Sequence, residues 1–92
     1  MTRFKVTGYC SCSKCFSNAS GITASGVKAR ANHTLAAPRK YKFGTRINLK
    51  GYGTYVVEDR GGSIIDNRIE IFFNSHQEVL NWGIKFIEGN IV

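Results

Sequence analysis

Apolar and polar residues alternate in several short segments of the chain, which is the pattern of strands that bury one face. In the first segment, Arg3–Thr7, the alternation places Phe4 and Val6 on the same side. A further short strand is expected near Ile22–Thr23. Five other segments are also predicted to be strands, namely His33–Ala36, Thr45–Lys50, Thr54–Glu58, Arg68–Phe73 and Ile84–Ile87.

One segment follows the pattern of a helix. Ser75 and Glu78 form a capping-box spacing, and apolar residues follow at Val79, Leu80 and Trp82. Gly83 comes next, where a glycine commonly ends a helix. The sequence therefore predicts a mainly-β domain of six or seven strands with one short helix.

The size and composition of the chain agree with this fold. It has 92 residues, of which 42% are hydrophobic and 21% charged, so residues 1–92 are expected to form a single globular domain. Ten glycines and one proline are typical of short strands joined by many turns.

The chain is basic, with 13 lysines and arginines against six acids and a formal net charge of +7. Such a surface attracts polyanions, including nucleic acid, anionic lipid and the acidic polymers of a bacterial wall. The basic residues are spread along the chain, and no nucleic-acid-binding motif accompanies them. We therefore expect no nucleic-acid partner.

No apolar run is long enough to span a membrane, so membrane insertion is not expected. The segment Met1–Phe4 lacks the apolar region of a signal peptide. Such an N-terminal sequence is expected if the protein is made in the cytoplasm, or if the chain is a domain cut from a longer protein.

Two carboxylates stand out because each lies beside a short apolar run. Asp59 follows Tyr55–Val57, Glu70 lies within Ile69–Phe73, and Gly61–Gly62 provides a turn between them. A carboxylate among apolar residues is costly to bury unless it is paired, hydrogen-bonded or protonated. Cleavage of a glycosidic bond uses a carboxylic acid and often a second carboxylate. We interpret the pair as a candidate site rather than as two surface acids, with carboxylates roughly 5–10 Å apart in one groove.

The compact motif Cys10-x-Cys12-x-x-Cys15 has three interpretations. Thiolates at this spacing can bind zinc, but a fourth ligand is required, and His33 and His76 are the imidazoles available. An oxidising compartment would allow a disulfide such as Cys10–Cys15. The third interpretation is simple packing of small side chains in a loop. Because no fourth ligand is evident, we expect the fold to need no metal. Neither histidine is assigned a catalytic role, and the side chain of His76 is expected to be exposed.

Several short motifs extend over nearly the whole chain, and they are specific in combination. They are Tyr9, Thr23–Gly26, Phe43–Thr45, Gly51–Gly53, Glu58-Asp59-x-Gly61-Gly62 and Asn67–Phe72. Together they resemble the 3D domain, a family named for three aspartates. The resemblance implies a double-psi β-barrel like that of the membrane-bound lytic transglycosylase A type of enzyme and of secreted wall-remodelling proteins of Gram-positive bacteria.

The family's aspartates correspond to three positions of this chain. The second matches Asp59, and the third, which looks catalytic in the family, matches Glu70. The first falls on Ala37, so one of the three carboxylates is missing and another is lengthened by a methylene.

The resemblance implies a peptidoglycan lytic transglycosylase, which cleaves the bond between N-acetylmuramic acid and N-acetylglucosamine without water and leaves a 1,6-anhydromuramyl product. Glu70 would protonate the glycosidic oxygen and then act as the base. Asp59 would bind the sugar, orient the attack or keep Glu70 protonated by like-charge repulsion. The residues expected to bind substrate are Tyr9, Thr23, Ser25, Asn67 and Arg68.

The same resemblance implies no cofactor, and its partner is the glycan strand of peptidoglycan. A monomer is expected, acting on the bacterial wall either after secretion or as a phage-encoded protein released to the wall. Two other functions remain open. One is a non-catalytic module that binds wall glycan, and the other is a small zinc-stabilised interaction domain.

Overall fold

Six β-strands and one short helix form the regular structure of residues 1–11, 21–61 and 66–92, which are the residues described by this computed structural model. They are β1 (Thr2–Tyr9), β2 (Thr34–Ala36), β3 (Arg46–Leu49), β4 (Gly53–Asp59), β5 (Arg68–Phe72), α1 (His76–Trp82) and β6 (Lys85–Ile91). The mainly-β prediction with one short helix is confirmed. In place of the short strand expected near Ile22–Thr23 there is a single bridge between Ile22 and Lys28. No helix in these ranges is both long and apolar enough to cross a membrane.

The strands close into a barrel in the order β1-β5-β2-β4-β3-β6. Two neighbouring pairs, β1 with β5 and β2 with β4, are parallel, and the other pairs are antiparallel. The short strand β2 lies between β4 and β5. It therefore joins the two strands that carry the candidate carboxylates.

The last strand is longer than its sequence pattern indicated. The alternation predicted Ile84–Ile87, whereas β6 extends over Lys85–Ile91 because it pairs first with β1 and then with β3. Gly89 interrupts the alternation, and close packing requires a glycine there. A Cβ atom at Gly89 would lie 2.9 Å from the backbone oxygen of Asn48.

The barrel interior is filled by the apolar face of each strand, as the alternation predicts. The central residues, Phe4 and Val6 of β1 and Ile69 and Ile71 of β5, are at most 1% exposed. The remaining core residues are Leu35, Ala37, Ile47, Leu49, Tyr55, Val57 and Ile87.

The helix begins and ends where the sequence indicates. The Ser75 side chain accepts a hydrogen bond from the backbone nitrogen of Glu78 at 3.2 Å, and Gly83 ends the helix with a φ of 67°. Trp82, in the last turn, donates from Nε1 to the backbone oxygen of Val6 at 3.1 Å. This bond fixes α1 against β1.

Candidate functional site

The two candidate acids lie on either side of β2. Ala36 pairs with Asp59 of β4 and with Glu70 of β5. Neighbouring strands are about 4.7–4.9 Å apart, so these two backbones are separated by roughly 10 Å. Side chains of directly paired residues point to the same side of a sheet, so the pairing favours a common face for both acids.

A register shift in the pairing of β2 with β4 determines the direction of the Asp59 side chain. Leu35 pairs with Val57, but Ala36 pairs with Asp59, so Glu58 is left out of the ladder. In a regular strand Asp59 would share the inward face of Val57. An extra residue of this kind re-aims the side chains that follow it, and here it places Asp59 opposite Ala36, outside the main core.

Glu58, the residue left out, is held by the first residue of β2 and the residue before it. Its carboxylate accepts a hydrogen bond from Thr34 Oγ1 at 2.8 Å and pairs with His33 Nε2 at 3.3 Å. His33 therefore has a structural partner in Glu58.

Asp59 is 6% exposed and its carboxylate is held by three donors. Oδ1 accepts from the backbone nitrogens of Ala24 and Arg60, both at 2.8 Å, and Oδ2 accepts from the Tyr9 hydroxyl at 3.0 Å. Hydrogen bonds to an ionised acceptor are the strong ones. Asp59 therefore fastens the Gly21–Lys28 loop and β1 to the end of β4, and it places a fixed negative charge beside β2.

Tyr9, predicted to bind substrate, is buried and serves as the donor to Asp59. Burial, followed by the charge of the Asp59 carboxylate, raises the pKa of the Tyr9 hydroxyl. The hydroxyl therefore keeps its proton at neutral pH and continues to donate. The ring of Phe72 lies edge-on to that of Tyr9, with 5.5 Å between ring centroids.

Glu70 is half-buried and has a different environment. Burial is the largest influence on the pKa of its carboxyl and raises it. The negative charge of Asp59 also raises this pKa, but its effect is the smallest. A hydrogen bond from Thr7 Oγ1 to Oε2 at 3.2 Å and the positive charge of Arg68 act in the opposite direction, but the pKa remains raised. A raised pKa keeps the carboxyl protonated to higher pH, which favours a role as general acid.

Replacing Thr7 by valine should raise the pKa of Glu70 further, because the hydroxyl donates to the charged form of the carboxyl. Since the acid form of Glu70 is then retained to higher pH, the titration of its carboxyl, followed by NMR, should move to higher pH. Thr54→Val, on the exposed part of β4, makes the same chemical change away from Glu70 and is the control. A titration of Glu70 that stays in place or moves to lower pH in Thr7→Val would contradict the assignment.

The predicted hydroxyl donors of the Thr23–Gly26 segment are largely used within their own turn. Thr23 Oγ1 donates to the backbone oxygen of Val27 at 2.8 Å and lies 3.0 Å from Ser25 Oγ. Thr23 is buried, whereas Ser25 is half-buried and its backbone nitrogen donates to Glu58 O at 3.1 Å. Of the two hydroxyls, that of Ser25 is better placed to meet a substrate.

Asn67 and Arg68 lie at the start of β5. The side-chain oxygen of Asn67 accepts from Lys40 Nζ at 3.0 Å, which links this end of the strand to the turn after β2. Arg68 is exposed, and its charge reaches Glu70. Both remain candidates for contact with a substrate that covers Glu70.

The sequence analysis did not identify Thr7 or the arginines near Asp59. Thr7 could have been found from the alternation of β1, because it shares a strand face with Tyr9. Arg60 directly follows Asp59 in the chain, but its position beside Arg39, Ala24 and Phe43 at an open cleft depends on the fold and has no signal in the sequence.

The end of β1 meets the start of the helix. Cys10 is buried, and its Sγ lies 3.6 Å from Nδ1 of His76, which is half-buried rather than exposed as expected. This contact brings a thiol to one of the two imidazoles considered as zinc ligands. Cys12 and Cys15 lie outside the described residues, as does Gly62 of the expected turn. A stoichiometric amount of zinc in the purified protein would contradict the expectation of a metal-free fold.

Comparison with known proteins identifies the family of the chain. The family model of the 3D domain matches residues 33–92. The chain is 30% identical over 77 residues to the cell wall-binding protein YocH of Bacillus subtilis (strain 168). The matched region is 79% of this chain and 27% of YocH. It is 31% identical over 86 residues to YabE of the same organism, whose name refers to cell wall shaping, covering 89% of this chain and 20% of YabE. The chain thus spans about a quarter of the length of YocH and a fifth of the length of YabE.

Proposed function

The chain belongs to the 3D domain family, and from this premise we propose that it is a peptidoglycan lytic transglycosylase with Glu70 as its general acid. The observation that carries the proposal is the half-buried Glu70 carboxyl, whose pKa is raised mainly by burial, one strand away from the fixed charge of Asp59. Two carboxyl groups in such different environments can take different roles in one reaction.

In the proposed reaction, protonated Glu70 gives its proton to the oxygen that joins N-acetylmuramic acid to N-acetylglucosamine. The bond from the muramyl C1 to that oxygen breaks. The muramyl 6-hydroxyl then forms a bond to C1, and its proton returns to Glu70, so the acid is restored and no water is consumed. Asp59, which is fastened by three donors, serves as a fixed negative charge for the positive charge that develops at C1.

The same proposal covers the partner and the place of action. The partner is the glycan strand of peptidoglycan, with no nucleic acid and no cofactor, and the chain acts as a monomer. It works at the bacterial wall, after secretion or after release of a phage-encoded protein.

A non-catalytic wall-binding module is the second candidate. It is favoured by the name of the relative YocH, a cell wall-binding protein, and by Ala37 at the position of the first family aspartate. Ala37 is fully buried in the barrel core, so no carboxylate is supplied from that position.

The two candidates differ in their products. We expect mass analysis of purified peptidoglycan, after incubation with the protein, to show fragments ending in 1,6-anhydromuramic acid. Fragments with free reducing ends would instead indicate hydrolysis. Binding to the insoluble material with no new fragments over the tested pH range would contradict the enzyme and support the binding module.

A further inference from the structure

A second feature lies directly beside Asp59. An open cleft of about 450 Å³ is lined by Ala24, Arg39, Phe43 and Arg60. Two of these residues, Ala24 and Arg60, donate their backbone nitrogens to Asp59 Oδ1. The cleft therefore adjoins the candidate site, and a substrate bound at Asp59 would extend toward it.

The guanidinium of Arg60 is held in a fixed position at this cleft. It donates to the backbone oxygens of Tyr41 at 2.7 Å, Asp59 at 3.2 Å and Ala37 at 3.3 Å. It also lies over the ring of Phe43, with its central carbon 4.1 Å from the ring centroid. A guanidinium that is already oriented loses little conformational freedom when it binds a ligand.

In the part of the chain that the structure describes, no carboxylate forms an ion pair with either arginine of the cleft. Carbonyl oxygens satisfy the hydrogen bonds of Arg60 but leave its charge in place. Burial, then the charge of Arg39, lowers the pKa of Arg60, while Asp59 opposes this shift. Over residues 1–11, 21–61 and 66–92 the ion pair present is that of His33 with Glu58, so neither arginine has a carboxylate partner there. A bound anion would relieve the repulsion between the two arginines.

We propose that the cleft is a subsite for a carboxylate of the peptide stem of peptidoglycan. The proposal rests on the function proposed above. The guanidinium of Arg39, which makes no hydrogen bond in the described ranges, can bind a planar oxyanion in a bidentate manner, and Arg60 adds its oriented positive charge. The partly exposed ring of Phe43 offers an apolar surface beside them. The peptide stem is attached to the muramyl sugar, the sugar whose bond would be cleaved at Asp59 and Glu70, so its carboxylates lie within reach of an adjoining cleft.

The test compares two materials and two variants. The materials are insoluble peptidoglycan freed of teichoic acid and glycan strands from which an amidase has removed the stems, with the lactyl carboxylates that this hydrolysis exposes converted to methylamides. Arg39→Gln is the test variant, because Arg39 is exposed and makes no hydrogen bond or ion pair in the described ranges, so its loss should not disturb folding. Arg46→Gln removes the same charge from an exposed position of β3 and is the control.

Arg39→Gln should bind the stem-bearing material about tenfold more weakly than wild type, the loss typical of one charge-assisted hydrogen bond. Its binding to stripped glycan should be unchanged, and Arg46→Gln should match wild type on the stem-bearing material. An equal loss for Arg39→Gln and Arg46→Gln would indicate a general effect of charge and overturn the subsite. So would unchanged binding by Arg39→Gln.

Two further outcomes distinguish failure of the subsite from failure of the proposed function. Equal affinity of the wild type for stem-bearing and stripped glycan would overturn the subsite alone. Failure of the wild type to bind either material would overturn the proposed function together with it. An effect of Arg39→Gln that appears only on walls retaining teichoic acid would assign the cleft to phosphate and overturn the peptide assignment.

Discussion

Glu70→Gln is expected to abolish the release of anhydromuramyl products while leaving the barrel folded. Glutamine keeps the shape of the side chain and can still accept the hydrogen bond from Thr7, but it cannot give or take a proton at neutral pH. General acid–base catalysis contributes about 10²–10⁴-fold, so the rate should fall by that order. The measurement is mass analysis of digested peptidoglycan, with thermal unfolding of the variant as the check on its fold.

Binding to wall glycan should survive in this variant, because only the proton is removed. Glu78→Gln makes the same change on the exposed face of α1 and is the matched control for activity. Wild-type amounts of anhydro-products from Glu70→Gln would remove Glu70 from the mechanism.

Asp59→Asn is expected to retain the fold and to lose most of the activity, whereas Asp59→Ala should lose both. The asparagine side-chain oxygen can still accept from the backbone nitrogens of Ala24 and Arg60, but the fixed negative charge is gone. With alanine the buried Tyr9 hydroxyl is left without its acceptor, at a cost of about 1–3 kcal/mol, and the part-buried nitrogens of Ala24 and Arg60 lose theirs as well. Urea denaturation measures the free energy of unfolding, and wall digestion measures the activity.

The two acids should also behave as a unit. The double variant Asp59→Asn, Glu70→Gln should be no less active than Glu70→Gln alone, because residues that act in one step give losses that do not add. If Asp59→Asn kept full activity while Asp59→Ala lost stability, Asp59 would be only an anchor for the Gly21–Lys28 loop.

Much of the barrel could be predicted because its strands have one buried face and its helix has a clear cap. The alternation identified the inward residues of β1, such as Phe4 and Val6, and the Ser75 spacing identified the start of α1. The length of β6 was underestimated because Gly89 interrupts the pattern, and its need for a small residue depends on the packing of β3 against it.

The two acids of the candidate site could be predicted from the sequence, whereas their contacts could not. Asp59 and Glu70 were identified from the apolar runs beside them, but the contacts that give them different roles depend on pairing between distant segments. The orientation of Asp59 follows from a shift in the ladder between β2 and β4, and a ladder is not visible in one strand's sequence. The proximity of Thr7 to Glu70 comes from the parallel pairing of β1 with β5.

The pairing of β1 also determines how the chain can fold. Its two neighbours are β5 and β6, and Thr2 pairs with Gly89, so every ladder of β1 joins segments that are distant in sequence. The entropy of closing these long loops must be paid before the ladders form. Proteins dominated by such non-local pairing fold in milliseconds to seconds, more slowly than helical proteins of similar size. During that time β1 has unpaired edges, and the alternating apolar face of Phe4 and Val6 is open to solvent until the last strand arrives.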